Sequence, residues 1–127
     1  MIEILNKRKK VIGYLKDKKY MDKNENLIAF LDGNVYHNED GFAKYTFVDG
    51  KILNEDDETI GVLEDETFNI YGLDKPNKKG MLSFSKDSGQ LFNYKLKTIG
   101  YLNGNFNALE NADYFGLMVS FFKLNLI

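Results

Sequence analysis

The chain has 127 residues, no cysteine, one proline and a net charge of −2, and its 14% aromatic content is all Tyr and Phe. That length suits one domain with a modest core. The composition excludes a disulfide framework, a thiolate metal site and a proline-rich or disordered linker protein.

"MIEILN" at the N-terminus reads as a first strand, followed by the basic cluster Lys7, Arg8, Lys9 and Lys10. The apolar run is too short for a secretory signal and its basic residues follow it, so the expected location is the cytoplasm. Charge is segregated along the chain. Residues 1–23 carry a local +5, residues 24–74 a local −11 and residues 75–127 a local +4.

A repeat occupies roughly residues 11–108. Its tetrads are Ile12-Gly13-Tyr14-Leu15, Ile28-Ala29-Phe30-Leu31, Tyr45-Thr46-Phe47-Val48, Ile60-Gly61-Val62-Leu63, Leu82-Ser83-Phe84-Ser85 and Ile99-Gly100-Tyr101-Leu102. The second column is always small, which calls for another backbone or ring close by. A turn follows each tetrad. Asp32-Gly33, Asp49-Gly50 and Asn103-Gly104 have favoured hairpin chemistry, while Lys16-Asp17 and Glu64-Asp65 fill the same slot less well. A second strand then carries an aromatic: Tyr20, Tyr36, Phe68, Phe92 and Phe106. Polar loops such as "DKNEN", "NEDG" and "NEDDE" lead onward, and "GLDKPNKKG" widens the fourth gap.

Each unit is thus a hairpin of about sixteen residues, too small to stand alone. Strand alternation places columns one and three on one face and columns two and four on the other. Both faces are apolar, which favours a closed or strongly curved sheet. No segment shows a sustained 3.6-residue period, so little or no helix is expected.

The last fifteen residues, 113–127, read as an apolar closing strand. Phe115, Leu117, Val119 and Phe121 would share one face, with Met118, Phe122, Leu124 and Leu126 on the other. A strand apolar on both faces is buried between layers, so this one is expected to close or cap a barrel, or to form a homodimer contact. The apolar stretch falls short of the roughly 20 residues a membrane span needs.

The Ile-Gly-Tyr-Leu and Asp-Gly register resembles the short tandem hairpin repeats of small bacterial proteins described as β-flower-like. More weakly, it is similar to the MORN repeat. The resemblance implies a shallow ring or barrel of antiparallel strands in a single domain, 1–127, and implies no functional residue.

Chemistry-bearing motifs are sparse, and no cofactor is expected. "DKNEN" imitates the start of a calcium loop, but Leu27 stands where the loop needs glycine and Gly33 where it needs glutamate. His37 is the only histidine, too few for a zinc site without thiolates. No nucleotide loop or catalytic triad context is present, and a non-enzymatic binding module is expected. Glu55, Asp56, Asp57, Glu58, Glu64, Asp65 and Glu66 form a candidate negative strip for a basic, nucleic-acid-handling partner protein. Phage-encoded inhibitors of bacterial RNA-guided nucleases (anti-CRISPR proteins) use such complementarity. Two alternatives use Lys7, Arg8, Lys9 and Lys10 instead: a lipid- or membrane-surface module, or a single-stranded nucleic-acid binder.

Overall fold

The computed structural model describes residues 1–71, 81–124 and 126. The expected wide loop "GLDKPNKKG", residues 72–80, lies outside the described residues. Hairpin follows hairpin along the chain: β1 (Ile2–Asn6), β2 (Val11–Lys16), β3 (Lys19–Asp22), β4 (Leu27–Asp32), β5 (Val35–Asn38) and β6 (Ala43–Val48). The series continues with β7 (Lys51–Leu53), β8 (Thr59–Glu64), β9 (Thr67–Ile70), β10 (Leu82–Phe84), β11 (Gln90–Phe92) and β12 (Thr98–Asn103). Each strand pairs antiparallel with its neighbours in sequence. β1 also pairs with β12, Ile4 opposite Leu102, so the sheet closes into a twelve-stranded barrel. Closure satisfies both edges of the sheet.

The two ends of the barrel use different turns. At one end the connections are tight. Asp17-Lys18, Asp49-Gly50 and Asp65-Glu66 each place two residues at positive φ, while between Asp32 and Val35 only Gly33 does so. Three of these turns, Asp17-Lys18, Gly33-Asn34 and Asp65-Glu66, sit one residue later than expected, and Asn103-Gly104 forms no hairpin, because the chain leaves the sheet there. Neighbouring hairpins are latched at this end by one repeated backbone bond: Leu31, Phe47 and Leu63 donate N–H to the carbonyls of Lys18, Asn34 and Gly50.

At the other end an Asn or Asp organises five turns. The Oδ1 of Asn6, Asp22, Asn38, Asn54 and Asn93 each accepts two backbone N–H groups, from the residues two and four positions ahead. The fourth residue of each turn, Lys9, Glu25, Gly41, Asp57 or Leu96, has positive φ. Beside each turn is a bulge. Ile12, Ile28, Lys44, Ile60 and Ile99 are the extra residues that have no direct partner in the register.

The bulge corrects the expected facing of the columns. Two residues of the bulged strand share one partner, so column one joins columns two and four on the inside. Ile60 is buried, and Ile12, Ile28 and Ile99 pack against the core. The register also shifts the third and fifth units by one. Tyr45 and Leu82, opposite the buried Tyr36 and Phe68, take the second column there, in place of Thr46 and Ser83.

The principal correction concerns the C-terminus. Residues 111–122 form a helix, α1 (Asn111–Phe122), entered through a 3-10 turn at Phe106–Ala108. No closing strand exists there; β1 and β12 close the barrel themselves. A twelve-stranded barrel is wider than its wall side chains can fill, and α1 fills the lumen. Tyr114, Phe115, Leu117 and Met118 are fully buried. The homodimer contact expected of a C-terminal strand is therefore unsupported at Phe115 and Leu117, which lie inside the barrel.

The helix enters at the tight-turn end. Lys18 Nζ donates to both carboxylate oxygens of the buried Asp113 at 3.0 Å, and Asp113 Oδ2 accepts the Glu110 N–H at 2.8 Å. Tyr20 donates its hydroxyl proton to the Asp113 carbonyl at 2.8 Å. Further down, Phe115 meets the rings of Tyr36, Tyr45, Phe47 and Phe68, all with centroids 5.6–6.1 Å away. The glycines of the second column now have their reason. A Cβ at Gly13 would strike the Phe121 ring, and one at Gly100 the Phe122 ring.

Candidate docking surface at the Asx-turn end

Closure of the barrel turns the linear charge pattern into an angular one. Five described connections lie at the Asx end, in the order β1–β2, β3–β4, β5–β6, β7–β8 and β11–β12, with the last adjacent to the first because β12 pairs with β1. The β1–β2 turn holds Lys7, Arg8, Lys9 and Lys10, and its neighbour β11–β12 holds Lys95 and Lys97. Across the ring, β5–β6 holds Glu39 and Asp40, while β7–β8 holds Glu55, Asp56, Asp57 and Glu58. Among the described residues, six cations thus form one arc and six carboxylates the facing arc.

The expected acidic strip is divided by this geometry. Glu55, Asp56, Asp57 and Glu58 lie at the Asx end. Glu64, Asp65 and Glu66 lie at the other end of β8, on the tight-turn rim. Glu66 is already engaged there, its Oε2 accepting the Lys86 N–H at 2.7 Å. What joins Glu55–Glu58 is the pair Glu39 and Asp40, which the linear reading passed over. Lys44, at the bulge of the third unit, offsets part of this charge through an ion pair with Glu55 at 3.1 Å. Lys44, Tyr45, Asn54, Glu55 and Asp56 line a shallow depression of about 480 Å³ beside the arc.

The basic arc similarly gains residues that are remote in sequence. Lys9 Nζ lies 5.1 Å from the Tyr101 ring centre, and Lys95 Nζ lies 5.7 Å from that of Tyr94. Apolar side chains are exposed on the same end: Leu96 at 72%, Phe42 at 64% and Tyr71 at 53%, with Leu27 and Tyr94 less so. Of the large apolar residues exposed among the described ones, only Met1 falls elsewhere.

The turns carrying both arcs are held by their Asn or Asp side chains. Asp22 serves as a carboxylate where the other four are amides. The Asn26 and Asn24 backbone donors hold its pKa below the ordinary value. The calcium-loop imitation at Asp22, Asn24 and Asn26 is this turn. His37 faces outward, stacked on Phe30 with centroids 4.7 Å apart, with Nδ1 3.1 Å from the Val35 carbonyl. Among the described residues, no three His, Asp or Glu side chains converge as metal ligands, and no helix is long and apolar enough to cross a membrane.

The Asx column is what sequence reading missed. Asn6, Asp22, Asn38 and Asn54 stand sixteen residues apart, a stricter period than the aromatic tetrads show. Comparison with protein-family models, curated proteins and solved structures finds no match for this chain.

Proposed function

We propose that the protein is a non-enzymatic protein-binding module that presents its acidic arc, Glu39, Asp40 and Glu55–Glu58, to a basic surface on a partner. The observation carrying this reading is that six carboxylates from two turns are collected on one rim and held there by Asn38 and Asn54. A fixed array of like charge steers a complementary protein more effectively than mobile side chains on a disordered tail, at an entropic cost already met by the fold. In its sharpest form, the partner is a nucleic-acid-handling enzyme whose basic groove is blocked.

The test is capture of such an enzyme at low and high salt, together with an assay of its activity. The wild-type chain is expected to bind and inhibit at low salt and to release at high salt. The charge reversal E55K/D56K is expected to abolish both effects while leaving the fold's circular dichroism intact. Inhibition that survives this reversal would remove the acidic arc from the mechanism.

A second reading uses the basic arc. Lys95, Lys97 and the rings of Tyr94 and Tyr101 join Lys7–Lys10 through barrel closure, giving a charged, aromatic path of the kind that holds single-stranded nucleic acid. A labelled oligonucleotide would then bind with strong salt dependence and would lose affinity in K95E/K97E as well as in K7E/R8E.

A further inference from the structure

The bulges that bring column one inward leave column three on the outer wall, where the core does not use it. Tyr14, Phe30 and Tyr101 alternate with the buried residues of β2, β4 and β12, and their rings are half-buried on the solvent side. The register joins them into a girdle. Tyr101 lies opposite Leu5, and Glu3, two residues back, lies opposite Tyr14. Tyr14 lies opposite Met21, and Lys19, two residues back, lies opposite Phe30. The same step, two strands over and two residues along, leads on to Thr46, Val62 and Ser83 and then back to Tyr101. Each of the six units gives this girdle one outward residue, and the aromatics take three consecutive places.

Charge divides the girdle at the same places. Residues 1–37 and 93–103, which carry the three rings, hold ten Lys and Arg against five Asp and Glu. Residues 38–71, which carry Thr46 and Val62, hold two against ten. Rings that served cross-strand packing alone would have no reason to stop where the charge changes sign. We propose that the outer wall from β12 through β1 to β5 binds single-stranded nucleic acid, with Tyr101, Tyr14 and the Phe30–His37 pair stacking on its bases. The ligand class is that of the second reading, moved from the rim to the wall; the site shares Lys7–Lys10 with that reading and is independent of the acidic arc.

A sheet that offers rings on its open face stacks unpaired bases, and cations beside the rings hold the phosphates. Successive rings of the girdle are about 12 Å apart at ordinary strand spacing and rise. That is far wider than the ~3.4 Å between neighbouring bases of a duplex strand, so the wall suits a strand whose bases are splayed. Phe30 and His37 are parallel to within 3°, with centroids 4.7 Å apart, and a base laid against the pair extends a stack that already exists. Lys16 and Lys19 stand opposite each other between Tyr14 and Phe30, and Lys9 Nζ lies 5.1 Å from the Tyr101 ring centre. Two carboxylates also face outward there: Glu3, which accepts from Asn103 Nδ2 at 2.7 Å, and Asp32 at the end of β4.

Fluorescence anisotropy of the full chain with labelled oligo-U and oligo-dT of about twelve nucleotides tests the proposal. Wild type is expected to bind at least one of them, with its tyrosine emission quenched by the stacked bases. Tyr14→Leu, Phe30→Leu and Tyr101→Leu keep an apolar cross-strand contact and remove the aromatic face. Each is expected to weaken binding about fivefold or more with circular dichroism unchanged, while Tyr14→Phe and Tyr101→Phe retain it. K16E/K19E is expected to weaken binding and to flatten its salt dependence.

A wild-type chain that binds neither oligonucleotide overturns the proposal. So does equal competition by inorganic polyphosphate, which has charge but no bases to stack. Binding that is lost in K7E/R8E yet kept by all three leucine variants overturns the wall and leaves the rim standing. Self-association that the leucine variants abolish, with no oligonucleotide bound, assigns the rings to a second copy and overturns it too. The acidic arc stands or fails separately: E55K/D56K is expected to bind oligonucleotide as wild type does, and the leucine variants to inhibit a basic enzyme as wild type does.

Discussion

Tyr20 and Tyr114 both lie in the lumen with no exposed surface, yet their hydroxyls have different surroundings. Tyr20 donates to the Asp113 carbonyl. Tyr114 stacks on Phe84 at 4.0 Å, and its hydroxyl has no hydrogen-bond partner among the described residues. A buried hydroxyl without a partner is a net cost, so Tyr114→Phe is expected to raise stability by about 1 kcal/mol. Tyr20→Phe is expected to lower it by a similar amount, and urea unfolding midpoints distinguish the two. Both phenols also resist ionisation. Burial, reinforced by nearby carboxylates, pushes Tyr114 up to about 12 and Tyr20 well above the ordinary value. The neutral forms are favoured in the fold, so this stability is present below pH ~10, where unfolded tyrosine titrates, and is lost as pH rises through the folded values. Unfolding midpoints are therefore expected to hold steady to about pH 10 and then fall steeply, with delayed tyrosinate absorbance until the barrel opens.

At the level of elements, α1 shows why a helix can escape a periodicity test. "NADYFGLMVSFF" is apolar all round because the barrel wall surrounds it, and a helix buried on every face has no polar stripe to mark its turns. The same run also alternates as a two-faced apolar strand. Gly116 does not decide between the two, because glycine is disfavoured in helix and strand interiors alike. Its helix backbone sits against the Tyr20 ring and hydroxyl, where an added Cβ would collide. Gly116→Ala is expected to cost about 2–3 kcal/mol by overpacking, despite alanine's better helix propensity. Tyr20→Phe in the same chain should recover part of that loss. The turns were legible in part. Hairpins and their spacing followed from Gly, Asp and Asn, but the bulge that flips column one inward depends on cross-strand register, which no single tetrad reveals. Asn54→Ala removes the acceptor for two backbone donors and is expected to cost about 1 kcal/mol. Leu96→Gly relieves a bulky side chain at φ 59° and is expected to add about 1 kcal/mol. Calorimetric melting of both variants checks this opposition within one kind of turn.

For the whole molecule, all-β closure was foreseeable because both strand faces were apolar and twelve short strands recur. Which strands closed the ring was not, since any apolar segment could have supplied the last edge. The charge arcs were hidden for the same reason: Lys7–Lys10 and Lys95–Lys97 become neighbours only when β1 meets β12. What the sequence reading took for the closing element is the filling of the lumen, and that difference can be measured. Tyr114, Phe115, Leu117 and Met118 have no exposed surface. Deleting large buried side chains costs roughly 2–5 kcal/mol each, and a domain has only about 5–15 kcal/mol in total. A closing strand could be lost and leave an open but still layered sheet. A lost plug leaves the inward rings of Tyr36, Phe47 and Phe68 with no partner across the lumen. A chain ending after Asn105 is therefore expected to keep hairpin-like far-ultraviolet dichroism while losing near-ultraviolet dichroism and binding a hydrophobic dye. A peptide of residues 106–127 added separately is expected to restore cooperative unfolding, because the site it enters is formed by the other twelve elements. Cooperative unfolding of the shortened chain without the peptide would show that the barrel wall supports itself.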